Sequence, residues 1–480
     1  MNRHRSSSAF TRSIARSTSL LALVIAFCGT AATTRGDDWP QWLGPQRDGV
    51  WRETGLLTRF PAGGPKVLWR SPIKGGYSGP AVADGLVFVT DFATGSATGS
   101  PAASPAASPA DSPAGNAAGS PAGNAPKNDP GTRSDLAGRE RVLAMDFASG
   151  KTVWSHEYPV TYRISYPAGP RATPTVHGGK VYVLGAEGHL TCLDARTGKV
   201  VWSRNLASEY KAETPIWGYS AHPLIDGQKL IMLAGGSGSL AVALDKDTGK
   251  EIWRALDAPS LGYCPPSIIE AGGRRQLLIW HPQSINSLDP ETGKLYWSEK
   301  LEPQYGMSIQ MPVKHNDILF AGGIGNKALA VRLASDRPAA TELWRGTNQT
   351  AVYPTCAAPM VDDQGILYGA CQQGHFRAVD LSTGKRLWET FKPTTGTRFG
   401  SSGTCFLVRN ADRWFLMSET GELIIAKLSA DRYEELDRAR ILAPTNEAFG
   451  RPVVWSHPAF AGRRMVARND QEIVCVSLAE

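Results

Sequence analysis

The chain has 480 residues, of which 50 are Gly and 33 Pro, together 83 of 480 or about 17%, against roughly 12% in average usage. With 42% hydrophobic and 20% charged residues it can build a core, which excludes wholesale disorder; no apolar run approaches the roughly 18 residues needed to cross a bilayer, which excludes an integral membrane protein. The formal net charge of +7 falls to +2 once the five arginines of 1–36 are set aside, so charge gives no reason to expect nucleic acid.

Residues 1–36 read as a signal peptide. Arg3, Arg5, Arg12 and Arg16 and a Ser-rich stretch precede the short apolar run Leu20–Phe27, and small residues Gly29, Thr30, Ala31 and Ala32 follow. A Sec-type leader of this kind predicts a periplasmic or secreted protein. Cys28 follows Phe27, a poor match to the small residue that normally precedes a lipid-modified cysteine, so lipoprotein and soluble forms both stay open.

Residues 37–66 form an N-terminal cap segment, and 67–480 form the folded body. Its first strand-like run, KVLWRS, ends near Trp69 and has no partner strands upstream. After it, 95–135 is almost only Ala, Ser, Pro, Gly and Asn. Such a stretch has nothing to bury and reads as a disordered, low-complexity insert within the first repeat.

A single pattern then recurs: an apolar pair, Asp, a turn ending in Thr-Gly or Ser-Gly, Lys, two residues and Trp. It ends at Trp154, Trp202, Trp253, Trp297 and Trp388, with degraded copies ending at Trp344 and Leu436, so successive units are 44 to 51 residues apart. Within a unit, β-branched runs are punctuated by Gly-containing turns such as Glu187-Gly188 and Thr197-Gly198, the marks of hairpins. Four short strands in about 47 residues is the grammar of a propeller blade. The last unit holds three strands and lacks the Trp-ending fourth, which the strand at Trp69 supplies. The prediction is an all-β, eight-bladed β-propeller whose ring is closed by the N-terminal strand; a seven-bladed ring with one unit misread is the alternative count.

The AxDxxTGxxxW repeat resembles that of the PQQ-type quinoprotein propellers across 67–478 apart from the insert. The resemblance implies a structural role for Trp69, Trp154, Trp202, Trp253, Trp297, Trp344 and Trp388, docking neighbouring blades. The segment WPQWLGPQRDGV (Trp39 to Val50) looks like the leader of exported BamB-like propellers, and its tryptophans are expected to dock on the propeller surface. Two functions share this fold. One is a non-catalytic BamB-like scaffold or protein-binding module that needs no cofactor. The alternative is an oxidoreductase of alcohols or sugars that uses PQQ with Ca²⁺. The alcohol dehydrogenases of that group carry adjacent cysteines over the quinone, and no adjacent Cys pair occurs here.

No GxSxG, HExxH, CxxC, EF-hand or P-loop string is present, and the histidines are scattered without metal-ligand spacing. No catalytic residue and no metal site is therefore assigned. The preferred reading is a binding module, a monomer, with protein partners at its loops and channel mouth. The innermost strand of each blade faces the channel, and those segments nominate Arg171, Trp217, Tyr219, His222, Tyr263, Gln310, Tyr353, Arg398, Trp455 and His457 as binding residues. Six cysteines follow the leader. A hairpin turn centred on Asp363-Gln364 sets Cys356 opposite Cys371 and makes them a candidate disulfide; the other four are expected to be buried small hydrophobes.

Overall fold

The structure, a computed structural model, describes residues 37–95, 131–347 and 358–480. The leader, most of the insert and the segment holding Tyr353 and Cys356 lie outside the described residues.

Eight four-stranded antiparallel sheets are arranged as a β-propeller, and the predicted count of eight is the observed one. Seven blades are continuous in sequence, spanning 81–164, 175–205, 224–255, 267–300, 313–345, 360–390 and 405–440. In the eighth, three strands between 459 and 477 are completed by Val67–Pro72, paired antiparallel to Glu472–Ser477 with Trp69 opposite Cys475 and Arg70 opposite Val474. Two features were not foreseen. A short hairpin, Asn446–Ala448 with Arg451–Val453, precedes the last blade, and Ser134–Asp146 already begins within the predicted insert.

The repeat motif explains the turn in the blades that keep it. Asp194 Oδ1 accepts hydrogen bonds from the Thr197 amide at 2.8 Å and the Thr197 hydroxyl at 2.7 Å, and Asp245 treats Thr248 identically. These Asx-type turns stabilise the carboxylate, and the Asp194 and Asp245 carboxyls sit below the usual range chiefly through the threonine hydroxyls. Gly198 and Gly249 follow at φ of 70° and 71°, conformations that side chains bearing a Cβ resist.

The same glycines form the blade-to-blade joint. A Cβ on Gly198 would lie 2.6 Å from the Trp154 ring, and one on Gly249 would lie 2.8 Å from Trp202, so each indole of one blade lies flat on the turn of the next. Each ring then donates its Nε1–H to a carbonyl of that turn: Trp154 to Ala195 at 3.0 Å, Trp202 to Lys246 at 3.0 Å, Trp388 to Ser429 at 2.8 Å. Trp69, Trp253 and Trp344 follow the pattern. Trp297 departs from it: the following turn, Ala334–Ala339, lacks the Thr-Gly, and its indole bonds instead to Gln276 Oε1 of its own blade at 2.8 Å.

The hairpin nominated for a disulfide has a different register. Met360 opposes Tyr368 and Val361 opposes Leu367, so opposed residues sum to 728 and not to the 727 that would face position 356 with 371. The turn is pinned by Asp362 Oδ1, which accepts the amides of Gln364 and Ile366 and so moves the centre to Gln364. Cys371 is a buried free thiol 3.6 Å from His375 Nδ1; Cys192, Cys264 and Cys475 are buried free thiols too, and Cys405 is buried.

The N-terminal segment is not a surface cap. Trp39 exchanges two backbone hydrogen bonds with Val82 of the first blade, Gly49 and Trp51 bond to Arg409 of the seventh, and Leu57 bonds to Leu478 beyond the eighth. The Trp39 and Trp51 rings lie 5.8 and 5.0 Å from Phe460, inside a shared core. Among the described residues no helix is long and apolar enough to cross a membrane.

Candidate binding cavity

A cavity of about 750 Å³ occupies the channel. Its walls come from the connections that join the last strand of one blade to the first of the next, together with the tips of two inner hairpins at Ile324 and Gln372. Seven of the ten nominated residues line it: Arg171, Trp217, His222, Tyr263, Gln310, Trp455 and His457. They sit in loops just before the innermost strands and not on those strands, which begin only at Thr175, Leu224, Ser267, Val313 and Ala459. The strands are too short to reach the mouth, so the preceding loops form it.

Three nominations fall elsewhere. Tyr219 is 1% exposed, with its hydroxyl bonded to the Ala234 carbonyl at 2.9 Å between two blades. Arg398 is exposed on a loop and does not line the cavity. Tyr353 lies outside the described residues.

Two aromatic groups flank the mouth. On one side Tyr166, Phe449 and Trp455 lie with ring centroids 6.2 to 6.4 Å apart. On the other Trp217 meets Tyr263 edge-on at 5.7 Å. Tyr166, Tyr305 and Phe449 all have φ between 51° and 59°, a left-handed conformation that costs bulky residues energy and turns their rings to the opening. None of these three was nominated, although each lies in an inter-blade loop of the kind that carried the nominated residues.

Trp42 closes the floor, and nothing in the repeat pattern pointed to it. The chain approaches from the opposite end of the channel, where Asp38 accepts the Asp84 amide in the first blade's inner hairpin turn. Trp42 stacks on His222 at 4.5 Å and meets His457 edge-on at 5.6 Å. Beneath it the Arg47 guanidinium donates to the Pro223 carbonyl at 2.8 Å and to the Pro266 carbonyl at 3.2 Å, 5.7 Å from the Trp42 ring centre. Burial lowers Arg47 to about 10.

The one charged side chain among the described lining residues is Arg171, and it is already occupied. Its guanidinium donates to the backbone carbonyls of Trp217, Gly169, Ser165 and Tyr166 and stacks over Tyr77 at 5.1 Å. No Asp or Glu is among those lining residues. Two carboxylates behind the wall are engaged by their own partners. Glu419 is held by Arg451 at 2.8 Å, by the Trp455 indole at 3.2 Å and by the Thr404 amide; Glu140 accepts from Tyr158, Tyr162 and the Ala186 amide. A quinone cofactor with its hard cation needs oxygen ligands and free cations for its carboxylates. Trp217 and Trp455 provide surfaces for stacking, but the described donor set provides neither of those needs, and no cluster of three potential metal-binding groups occurs among the described residues.

His222 sets a pH dependence. Its Nδ1 accepts the Thr173 amide at 2.9 Å, and burial, then His457 and Arg47, hold its pKa well below the ordinary value. Burial likewise lowers His156, His281 and His375. A histidine with a depressed folded pKa stabilises the fold above its unfolded value of about 6.5, and that contribution is lost as pH falls toward the folded value. Thermal melts between pH 7.5 and 5.5 should therefore show a falling Tm, with a shallower slope for His222→Asn, whose amide oxygen can accept the same backbone amide. An unchanged slope in that variant would remove His222 from the account.

Comparisons with known proteins agree on the fold. A family model described as outer membrane protein assembly factor BamB matches residues 138–279 and 281–480. The chain is 24% identical to a polyvinylalcohol dehydrogenase of a Pseudomonas species over 52% of its own length and 50% of that protein. It is 33% identical to quinohemoprotein alcohol dehydrogenase ADH IIB of Pseudomonas putida over 27% of this chain and 20% of that one. Against BamB of Salmonella typhimurium it is 29% identical over 24% of this chain and 27% of that one. The chain thus spans between a fifth and a half of these relatives' lengths. Among solved structures, the quinohemoprotein alcohol dehydrogenase of Comamonas testosteroni aligns with a TM-score of 0.56 and 13% identity, covering 92% of this chain and 80% of that one, which shows a shared fold.

Proposed function

The chain belongs to the outer membrane protein assembly factor BamB family of PQQ-like propellers, and from that premise we propose that it is an exported, non-enzymatic binding module whose ligand site is the channel cavity. The family spans scaffolds and quinoprotein dehydrogenases, so the choice between them rests on the site. The observation that carries it is the cavity's chemistry: aromatic walls, no carboxylate among the described lining residues, and a single lining cation engaged by four backbone carbonyls. Such a site binds by apolar contact and shape, as ligand pockets commonly do. The leader pattern of 1–36 supports export. Protein partners at the cavity mouth and surrounding loops fit the same reading, since Tyr305 and Phe449 expose large apolar rings there.

The similarity to quinoprotein alcohol dehydrogenases supports a second reading, a PQQ-dependent oxidoreductase. Titrating PQQ with Ca²⁺ into the chain decides between them. A ligand at about 100 times its Kd stabilises by roughly 2.7 kcal/mol, a readily measured rise in Tm. The expected result is no rise and no dye-linked oxidation of alcohols or sugars. A rise of several degrees with dye reduction would overturn the binding-module reading.

A further inference from the structure

The cavity floor is built from hydrogen-bond donors. Gln310 is 1% exposed, and its Oε1 accepts the Gly322 amide at 3.1 Å, which fixes the orientation of the side-chain amide and leaves Nε2 as the donor. That Nε2 finds no acceptor among the described residues. Trp42 is 4% exposed, and its Nε1–H likewise finds none. His222 uses Nδ1 to accept the Thr173 amide, so the neutral ring carries its proton on Nε2 and is a third donor. All three residues line the same cavity.

An unpaired buried donor is costly, and two such donors stand just behind the floor of one pocket, so an acceptor that reaches the base of the pocket would pair them. The charge around them has one sign. The Arg47 guanidinium lies beneath Trp42, Arg171 stands in the wall, and no carboxylate is among the described lining residues. In a poorly solvated site that field favours a negative oxygen and repels an ammonium group. Above the floor the walls are apolar and aromatic: Ile216, Ile309, Met311, Trp217, Tyr263 and Trp455.

We propose that the cavity binds an apolar or aromatic carboxylic acid, its body between the mouth aromatics and its carboxylate on the Trp42, Gln310 and His222 donors. This inference rests on the channel cavity being the ligand site, as proposed above, and specifies what enters it. It was not legible in the repeat, because Trp42 comes from outside the blades and meets Gln310 and His222 only in the closed ring.

Three probes of equal length and different ends test it by calorimetry with the full chain: naphthylacetate, naphthylethanol and naphthylethylamine. A hydrogen bond to a charged group contributes about 1.5 kcal/mol or more, so the acid should bind about tenfold or more tighter than the alcohol, and the amine weakest. Trp42→Phe keeps an aromatic ring there and removes the donor, so it should weaken the acid selectively. Gln310→Glu keeps an acceptor for Gly322 and puts a negative charge in place of the neutral donor, so it should invert the preference toward the amine. Near-UV circular dichroism of each variant reports whether the fold is kept; if one variant unfolds, the other and the wild-type series still decide. If the alcohol and amine bind as well as the acid, the carboxylate assignment falls while the cavity remains a binding site. If none of the three binds, both fall together.

Discussion

Deleting residues 37–72 should abolish cooperative unfolding altogether. That segment supplies the fourth strand of the eighth blade, and without it the edge of Glu472–Ser477 stands open where the ring closes. It also withdraws Trp39, Trp42, Leu43, Trp51, Leu56 and Trp69, each no more than 7% exposed. Burial of a large apolar side chain contributes about 1.5–3 kcal/mol, so six of them amount to roughly 10 kcal/mol or more, against a whole-domain stability of about 5–15 kcal/mol. The expected readout is loss of the sigmoidal thermal transition together with aggregation on gel filtration. A transition kept within a few degrees of the parent chain would show that the other blades hold the ring unaided.

Arg468→Met should be the most costly single substitution outside the docking tryptophans. Arg468 is fully buried on the middle strand Arg464–Arg468 of the eighth blade, and its guanidinium donates to the carbonyls of Thr90 at 2.6 Å, Lys74 and Asn469. Thr90 belongs to the first blade, so this one side chain ties the last blade to the first where the ring closes. Methionine fills similar volume but strands these carbonyls and the nearby Asp470 carboxylate, at a cost of about 3–5 kcal/mol. A shift in urea midpoint with unchanged slope measures it, and Arg468→Lys should recover only part.

The same substitution has a pH signature. Burial raises the Asp470 carboxyl above its ordinary value although Arg468 opposes that shift. A raised folded pKa favours the protonated form, so the stability it contributes is present at low pH and is lost as pH rises through the folded value. Without the cation this penalty at neutral pH grows. The destabilisation by Arg468→Met should therefore be larger at pH 7.5 than near pH 4.5. A loss independent of pH would mean that the carbonyls alone account for it.

The fold was legible because its signals are local and repeated. Asp, Gly and Trp within one twelve-residue stretch mark a turn and a strand in each unit, and the resemblance to the quinoprotein propellers implied the blade docking that Trp154 makes on Gly198 and Trp202 on Gly249. The missing strand of the last unit and the surplus strand at Trp69 implied closure in the same way. A register set by a single carboxylate was not legible: Asp362 moved the centre of one hairpin and with it the opposition expected of Cys371.

The sequence by itself determined an eight-bladed ring and named seven of the residues that line the cavity, though it placed them on the innermost strands and not in the loops ahead of them. Seven blades depend on interactions within about 50 residues once the insert is set aside, and the strand that closes the eighth was signalled by unpaired runs near the two ends of the repeat region. Only the tertiary structure decided the floor and the charge of the site. Trp42 and His222 are 180 positions apart, and the propeller brings them within stacking distance because a ring draws all its inner loops toward one axis. It likewise decided that Arg171, which sequence alone would offer to a ligand, is consumed by backbone carbonyls, since a buried guanidinium must satisfy its donors wherever carbonyls stand nearest.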